Sequence, residues 1–326
     1  MTRPAATLLL PGRQRFGGQA LPAPLAGALG RADPLPAGDA GTRAQLQRHF
    51  TLLPNGWPVA ALTRTVDAGD ADSANWLRAD PAWIRPDING ARLLAVGEGM
   101  ALAADDAETL LPALRTLFGD AGFPIDAPVP SRWYLRLPPG APLPPFAPPE
   151  QALGTDLGDV LLDTPAGDAN ARRWRSLLSE AQVVLHNHPW NARRAERGLA
   201  PVNSLWFWGG GALPDQVTTT SVAVRSDEAL LRALATRAGV PLSAVGRGFD
   251  TPAAGDVLVD LRGMPDMAAL ASSWLVPALA ALQAGQLGRL RLDFADGAGV
   301  VLERGQRWRF WRRPLAGLSR LPPLQQ

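Results

Sequence analysis

The last third of the sequence alternates short apolar runs with amphipathic segments, and this alternation constrains the fold more than any other feature. The apolar runs predict strands, and the longer segments between them predict helices. The predicted strands are 202–208, 217–224, 257–261 and 290–294, and the predicted helices are 228–237 and 267–282. Strands separated by helices favour a parallel or mixed sheet that is covered on both faces. The apolar run at 5–10 predicts a further buried strand, and the run at 58–62 predicts a second one.

The middle of the chain follows a different pattern. A hairpin is predicted over 83–96 with its turn at 86–90, and a helix over 110–118 and a strand over 131–137 follow it. Pro112 is expected to kink this helix or delay its start. Seven prolines among the 13 residues 138–150 exclude a helix or a central strand and predict a stiff surface segment. Two further helices are predicted, one around 174–185 and a shorter one between Pro189 and Gly198.

Together these patterns predict an α/β fold, with a mixed-sheet core interrupted by an α+β and helical insertion. Residues 1–72 are expected to form the N-terminal part of the core. Residues 73–204, including the Pro-rich 138–150, are expected to form the insertion, and 205–326 the C-terminal part of the core.

Two absent residue types exclude several kinds of chemistry. The chain has no Cys, which removes disulfides, thiolate metal sites and a Cys nucleophile. All 32 basic residues are Arg, so a Schiff-base lysine and a P-loop lysine are also excluded. The sequence pI of about 10.1 reflects this Arg content, because the formal net charge is only +2. Nucleic acid is therefore not the expected partner.

No uninterrupted apolar run reaches the roughly 20 residues that a membrane helix needs. The N-terminal apolar run stops at Pro11. We therefore expect a cytoplasmic protein with no membrane partner.

The residues best suited to chemistry cluster in segment 186–211. A predicted strand there ends in three glycines, and glycines at the carboxyl end of a buried strand allow a ligand to approach the backbone. A simpler interpretation is a flexible exit from the strand. His186 and His188 lie two residues apart, which is a poor spacing for one metal ion, so a helix-capping role is favoured for one of them.

A candidate anion pocket follows from this segment. Arg78 and Asp80 form either a buried ion pair, which is favoured, or another edge of the same pocket. Guanidinium groups and exposed backbone N–H groups suit a phosphate or a carboxylate. The expected lining residues are His188, Asn191, Arg194, Asn203, Trp206, Gly209, Gly210, Gly211, Arg78 and Asp80.

The same segment carries a family resemblance. The pattern comprises His188, Pro189, Asn191, Arg194, Gly198, Pro201, Asn203, Trp206, Gly209 and Gly211. It resembles a signature of archaeal-type cofactor-independent phosphoglycerate mutases. With Trp-Leu-Arg-Ala-Asp-Pro at 76–81, the chain more closely resembles the bacterial RpfE regulatory-protein family, which is described as phosphoglycerate mutase-like. The resemblance extends from about residue 57 to 300, and 201–211 is its most specific part.

The resemblance implies an alkaline-phosphatase-like core and, in true mutases, two metal ions beside a phosphoryl-carrying Ser or Thr. The matching ligands are missing from this sequence. No His follows His188, Phe294 stands where an imidazole is expected, and 8–12 contains no acid. Asp256 and Asp260 have no His partners, and solvated or N-capping roles are favoured for them. We therefore expect no catalytic residue, no metal and no cofactor.

The expected function is that of a non-catalytic cytoplasmic regulatory or ligand-sensing protein on a degenerate phosphoglycerate-mutase-like fold. Its expected partners are a small phosphate or carboxylate and another protein. The RpfE resemblance implies a link to the control of extracellular enzymes and polysaccharide in a plant-associated bacterium. The alternative is an active metal-dependent phosphoglycerate mutase or phosphohydrolase that uses carboxylates with His186 or His188.

The C-terminal segment 304–313 interleaves Arg with Trp and Phe. Period-two alternation favours an edge strand that its arginines protect from further pairing. The same composition is typical of surfaces that bind single-stranded nucleic acid, which makes a nucleic-acid-binding regulator the third candidate.

Overall fold

The computed structural model describes residues 3–87, 90–155, 168–264 and 266–321. The strands of this part of the chain are β1 (Ala5–Leu10), β2 (Asp33–Pro34), β3 (Phe50–Leu53), β4 (Asn75–Asp87), β5 (Gly90–Val96), β6 (Ile125–Val129), β7 (Arg132–Leu137), β8 (Ser204–Gly211), β9 (Gln216–Thr219), β10 (Ala223–Arg225), β11 (Leu242–Ser243), β12 (Asp256–Asp260), β13 (Arg289–Phe294) and β14 (Gly299–Glu303). The helices are α1 (Ala23–Arg31), α2 (Thr42–Gln47), α3 (Val59–Asp67), α4 (Ala104–Asp120), α5 (Pro149–Ala152), α6 (Ala169–His186), α7 (Trp190–Glu196), α8 (Ala229–Arg237), α9 (Met267–Leu270) and α10 (Val276–Ala284).

The chain divides into two compact units. Unit 1 comprises Met1–Asn55 and Gln216–Gln326, and unit 2 comprises Gly56–Asp215. The predicted boundaries, 72/73 and 204/205, lie inside unit 2. Unit 2 extends further at both ends because α3 packs against β4, and because β8 pairs with β4 instead of joining the sheet of unit 1.

Unit 1 is built on a seven-stranded mixed sheet with the order β11-β10-β12-β1-β13-β14-β2. The first five strands of this order are parallel, β14 pairs antiparallel with β13, and β2 pairs antiparallel with β14. The central strand β1 is almost uniformly apolar because a central parallel strand is buried on both faces. The predicted α/β class with a mixed sheet is confirmed.

One face of this sheet forms the main core of unit 1 with α1 and the helical stretch Met267–Ala284. This stretch runs continuously through α9, a π-helical turn at Ala271–Leu275 and α10. With 18 residues and a mean hydropathy of 1.5, it is long and apolar enough to cross a membrane by length and composition alone, although a core helix meets the same criteria. Half of it is buried in the fold. The predicted helix at 267–282 is confirmed, but the sequence did not mark it as a possible membrane span because Ser272, Ser273 and Pro277 interrupt its apolar residues.

Unit 2 contains an antiparallel sheet with the order β5-β4-β7-β6, in which β8 also pairs with the long strand β4. Helices α4 and α6 pack on one face of this sheet around Leu110, Trp133 and Trp174. The predicted hairpin is confirmed by the β4–β5 register, although residues 88 and 89 of its turn lie outside the described residues. Pro112, which was expected to kink α4 or delay its start, lies within a helix that already begins at Ala104.

Three sequence predictions are wrong. The apolar run at 58–62, predicted as a strand, lies in α3, because periodicity does not separate a short buried strand from a short buried helix. The strand predicted over 217–224 is interrupted, and its halves are β9, which pairs with β3, and β10 in the main sheet. The C-terminal edge strand is absent from the described residues, since Arg304–Trp308 forms a 3₁₀ helix and a turn follows.

Candidate functional site

The carboxyl ends of β10, β12, β1 and β13 meet at one edge of the unit 1 sheet because these strands are parallel. Open α/β sheets bind their ligands outside this edge. Four polar side chains lie at the strand ends, namely Ser226, Asp260, Arg13 and Asp296. This edge is the candidate functional site of unit 1.

The carboxylate of Asp260 is held by an arginine two residues further along the chain. Arg262 donates from Nε to Oδ1 and from Nη2 to Oδ2, both at 2.8 Å. The Ser226 hydroxyl donates to Oδ2 at 2.9 Å. Burial pushes the pKa of Asp260 up, but the hydrogen bonds from Arg262 and Ser226 hold that pKa below its ordinary value. The solvated or N-capping role expected for Asp260 is therefore wrong, because the protein's own cation occupies both oxygens.

Asp296 is also paired with an arginine. Arg13 donates from Nε at 2.7 Å and from its backbone N–H at 3.2 Å to Oδ2 of Asp296. The same guanidinium donates from Nη1 to the carbonyl of Leu321 at 2.6 Å. The turn after β1, where the family resemblance implies an acidic metal ligand, thus carries a cationic side chain. This pair leaves no signal in the sequence because 283 residues separate its members.

Asp293 forms a third cluster, within β13 and on the sheet face opposite Phe294. Arg48 donates to both of its oxygens, at 3.1 and 2.6 Å, and His49 Nε2 lies 2.9 Å from Oδ2. Arg291 donates to Oδ2 at 3.3 Å. Burial opposes ionisation, but the hydrogen bonds from His49 and Arg48 lower the pKa of Asp293. His49 thus supplies an imidazole near the position where the resemblance implied one, while Phe294 packs in the core.

Asp256 lies at the opposite end of β12. Its carboxylate accepts a hydrogen bond from the Thr7 hydroxyl at 3.1 Å. Burial raises the pKa of Asp256, and the Thr7 hydrogen bond offsets this only in part. The two acids that flank β12 therefore have opposite pKa shifts, because Asp260 has a cationic partner in direct contact and Asp256 has a neutral one.

These donor sets do not fit a pair of metal ions. Among the residues that the structure describes, no group of three or more His, Asp or Glu side chains could hold a cation. A two-metal centre needs several such ligands around each ion. At this edge Arg262 and Arg13 take the positions that cations would need beside Asp260 and Asp296.

The candidate anion-pocket residues of unit 2 fall into two groups, and the first surrounds Arg78 and Asp80. Arg78 donates from Nε and Nη2 to the two oxygens of Asp80, both at 2.8 Å, and both side chains are buried. Trp208 Nε1 also donates to Asp80 at 2.7 Å, and Arg78 lies over the Trp208 ring. The buried ion pair favoured by the sequence analysis is therefore present. Trp206, also in this region, donates to the carbonyl of Ala147.

The second group holds the loop that precedes β8. Arg194 is fully buried, lies 2.7 Å from the carboxylate of Asp106, and donates to the carbonyls of Met100 and Ala200. The Asn191 side chain exchanges hydrogen bonds with the backbone N–H and carbonyl of Val202. These contacts tie α7 to neighbouring segments, so the structure gives both side chains a structural role.

The other predicted pocket residues also have partners within unit 2. Asn203 exchanges two hydrogen bonds with the backbone of Ile84, and His188 Nδ1 accepts from the backbone N–H of Trp190 at the start of α7. The three glycines allow close packing: a Cβ at Gly209 would lie 2.9 Å from Val59, and one at Gly210 would lie 2.3 Å from Leu143. Gly211 approaches Pro58 in the same way. Anion binding by this set stays a prediction.

Comparisons with known proteins give partial matches to phosphoglycerate mutases. No family model matches the chain. A probable 2,3-bisphosphoglycerate-independent phosphoglycerate mutase of Geobacter sulfurreducens is 44% identical over 55 residues, which are 17% of this chain and 14% of that protein. The corresponding mutase of Methanothrix thermoacetophila is 31% identical over 125 residues, which are 36% of this chain and 31% of that protein. The chain thus distantly resembles cofactor-independent phosphoglycerate mutases, and each match spans less than a third of the relative.

Two solved structures cover nearly the whole chain at low similarity. The cofactor-independent phosphoglycerate mutase of Thermoplasma acidophilum is 15% identical with a TM-score of 0.43, over 100% of this chain and 96% of that one. A Pyrococcus horikoshii protein is 11% identical with a TM-score of 0.49, over 92% of this chain and 87% of that one.

Proposed function

We propose that this protein is a non-catalytic regulatory or ligand-sensing protein with a phosphoglycerate-mutase-like fold. One observation carries the proposal: at the carboxyl edge of the unit 1 sheet, the acids Asp260 and Asp296 are neutralised by Arg262 and Arg13. The resemblance to the mutases supports a common origin of the fold. It does not carry their activity, since a shared fold hosts different functions.

The chemistry of phosphoryl transfer explains why these arginines matter. In a two-metal site the ions bind the attacking and leaving oxygens and neutralise the charge that develops on the phosphoryl group. An Arg262 guanidinium that forms two hydrogen bonds with Asp260 leaves that carboxylate little capacity for a cation. Binding a metal there would also strand a largely buried guanidinium, which is costly.

The regulatory part of the proposal rests on the resemblance to the RpfE family. The proposal also includes a cytoplasmic location, an alkaline-phosphatase-like ancestry of unit 1, and a role in controlling extracellular enzymes and polysaccharide. A small phosphate or carboxylate is the proposed ligand, and another protein the proposed partner. The rival function, an active mutase or phosphohydrolase, needs metal ions bound by carboxylates with His186 or His188.

Metal content separates these two functions. After incubation with Mn and Zn and removal of free ions, elemental mass spectrometry is expected to find the same background metal in the wild type and in Asp260→Asn/Asp296→Asn, because arginines already hold both carboxylates. Neither protein should convert 3-phosphoglycerate to 2-phosphoglycerate. Two metal ions per wild-type chain, lost in the double variant and accompanied by turnover, would show that the chain is an enzyme.

A second candidate function is favoured by the C-terminal aromatics. Trp308, Phe310 and Trp311 are 66%, 82% and 69% exposed, and Arg307 and Arg313 are exposed beside them. Phe310 and Trp311 contact each other edge to face, and Arg307 lies over the Trp308 ring. Exposed aromatic faces combined with guanidinium groups suit base stacking and phosphate contacts in single-stranded nucleic acid.

This candidate predicts that a labelled single-stranded oligonucleotide binds with an affinity that falls steeply as salt rises. Trp308→Ala/Phe310→Ala/Trp311→Ala should weaken that binding at least about tenfold, since each stacked base contributes about 1–3 kcal/mol. A matched triple variant at other exposed apolar positions, Leu53→Ala/Leu153→Ala/Val183→Ala, should bind like the wild type. Fluorescence anisotropy at several salt concentrations gives both readouts. Equal binding by the two triple variants would eliminate the aromatic segment as the interface.

A further inference from the structure

A cavity of about 270 Å³ lies in unit 1 between α1, α10 and the 3₁₀ turn Arg304–Trp308. It is near the start of β13, since α10 leads into that strand, and thus at the opposite end of the parallel strands from the candidate functional site. Ligand binding in this cavity does not depend on whether the carboxyl edge is catalytic.

The cavity combines an apolar wall with a cationic rim. Leu279, Leu282 and Leu302 line it together with the small residues of α1. Arg31, Arg304 and Arg307 also line it. The one acidic lining residue, Glu303, is paired with Arg289 at 3.0 Å. The lining therefore has a net positive charge, and its charge complement is an anion that carries an apolar group.

Arg31, which lines the cavity, has few hydrogen-bond partners of its own. Its Nε is buried and donates to no acceptor in the described part of the chain. Its Nη1 donates only a long hydrogen bond, at 3.3 Å, to the carbonyl of Arg307. An anionic oxygen in the adjoining cavity would form a charge-assisted hydrogen bond with the terminal nitrogens of this guanidinium.

We propose that this cavity binds a small organic anion, a carboxylate or phosphate ester with a compact apolar body, whose charged group contacts Arg31 while the apolar body packs against the three leucines. A volume of 270 Å³ is near the lower limit of small-molecule sites, which fits a small ligand. Arg304 and Arg307 are exposed at the rim and add long-range attraction for the anion.

Two dyes of similar shape and different charge provide the test. 8-Anilinonaphthalene-1-sulfonate is an aromatic anion, and N-phenyl-1-naphthylamine is its neutral counterpart. Fluorescence titration of the full chain should give one anion site per chain, with the neutral dye at least about tenfold weaker. Arg31→Gln should weaken the anion at least tenfold and change the neutral dye less than twofold. Arg304→Gln, at an exposed position, should weaken the anion in the same direction.

A cavity-filling variant locates the site. Gly27 lies in α1 and lines the cavity, and a Cβ there would meet nothing within 4 Å, so Gly27→Leu should fold and fill the space. We expect it to abolish binding of both dyes. Gly119→Leu, in α4 and equally open, and Arg15→Gln, at an exposed position, are the matched controls and should bind like the wild type.

Three results would overturn the proposal. They are anion binding that survives Gly27→Leu, a neutral dye that binds the wild type as tightly as the anion, and an anion affinity unchanged in both Arg31→Gln and Arg304→Gln. The variant that lacks Trp308, Phe310 and Trp311 is a further control. If it loses dye binding while Gly27→Leu retains it, the dyes bind the exposed aromatics and not the cavity. None of these readouts depends on metal content or phosphoglycerate turnover.

Discussion

Replacing Arg194 by Met is expected to destabilise unit 2 by about 3–5 kcal/mol, the range for removing one partner of a buried ion pair. Both Arg194 and Asp106 are 0% exposed, and Nη1 lies 2.7 Å from Oδ2. The variant leaves the Asp106 charge without its cation and deprives the carbonyls of Met100 and Ala200 of their donors. Urea unfolding followed by circular dichroism measures the loss.

The neighbouring pair Arg197–Asp105 is the matched control. It joins α4 to the residue directly after α7, but Arg197 and Asp105 are 47% and 53% exposed, with their atoms 3.7 Å apart. Arg197→Met is therefore expected to change stability by less than about 1 kcal/mol. Adding Asp106→Leu to Arg194→Met should recover part of the loss, since it removes the unpaired charge. Equal effects of the two arginine substitutions would contradict the structural role of Arg194 and favour its predicted role in binding an anion.

The fold class could be predicted because it depends on local patterns. Of the two strands that pair with β1, β12 is an apolar run between two acids and β13 alternates apolar and charged residues, and a helical segment separates them. The unit boundaries could not be predicted in the same way. Strand β8 has the apolar pattern of a strand in the main sheet, and only its pairing with β4 assigns it to unit 2. Pairing between segments more than 100 residues apart leaves no signal in either one.

The candidate anion pocket shows why residue type is a weak guide to function. Arg, Asn, His and Gly are the residues that bind phosphate, but they also satisfy buried backbone groups and allow close packing. The Asn203 side chain forms two hydrogen bonds with the backbone of Ile84, 119 residues away in sequence. The structural alternatives, a helix cap for His188 and an ion pair for Arg78 with Asp80, were foreseeable because they involve near neighbours.

The pairing of arginines with the acids at the carboxyl edge could not be predicted. The lack of an acid at 8–12 is visible in the sequence itself. Sequence analysis could recognise that a metal ligand was missing from the turn after β1. It could not show that Arg13 from that turn reaches Asp296, because the contact exists only once β1 and β13 are paired. The sequence can show that a metal ligand is missing. Only the tertiary contacts show that an arginine pairs with the remaining acid.

Asp293→Asn is the second substitution with a large expected effect, about 3–5 kcal/mol at pH 7. The Asp293 side chain is 2% exposed and lies against Arg48, His49 and Arg291. Asparagine keeps the shape but removes the charge, so two guanidinium groups lose their anion. Asp250→Asn, which affects a surface pair with Arg225 in which Asp250 is 79% exposed, should change stability by less than about 1 kcal/mol.

The pH dependence distinguishes loss of this charge from simple damage to packing. The folded-state pKa of Asp293 lies below its ordinary value of 3.8, so its contribution to stability is complete above that value and disappears as the pH falls through the folded-state pKa. The stability difference between the wild type and Asp293→Asn should therefore be fully present at about pH 5 and shrink as the pH falls below about 4. Urea unfolding at a series of pH values tests this. A difference that does not shrink between pH 5 and pH 3 would mean that the loss in Asp293→Asn does not come from the charge of Asp293.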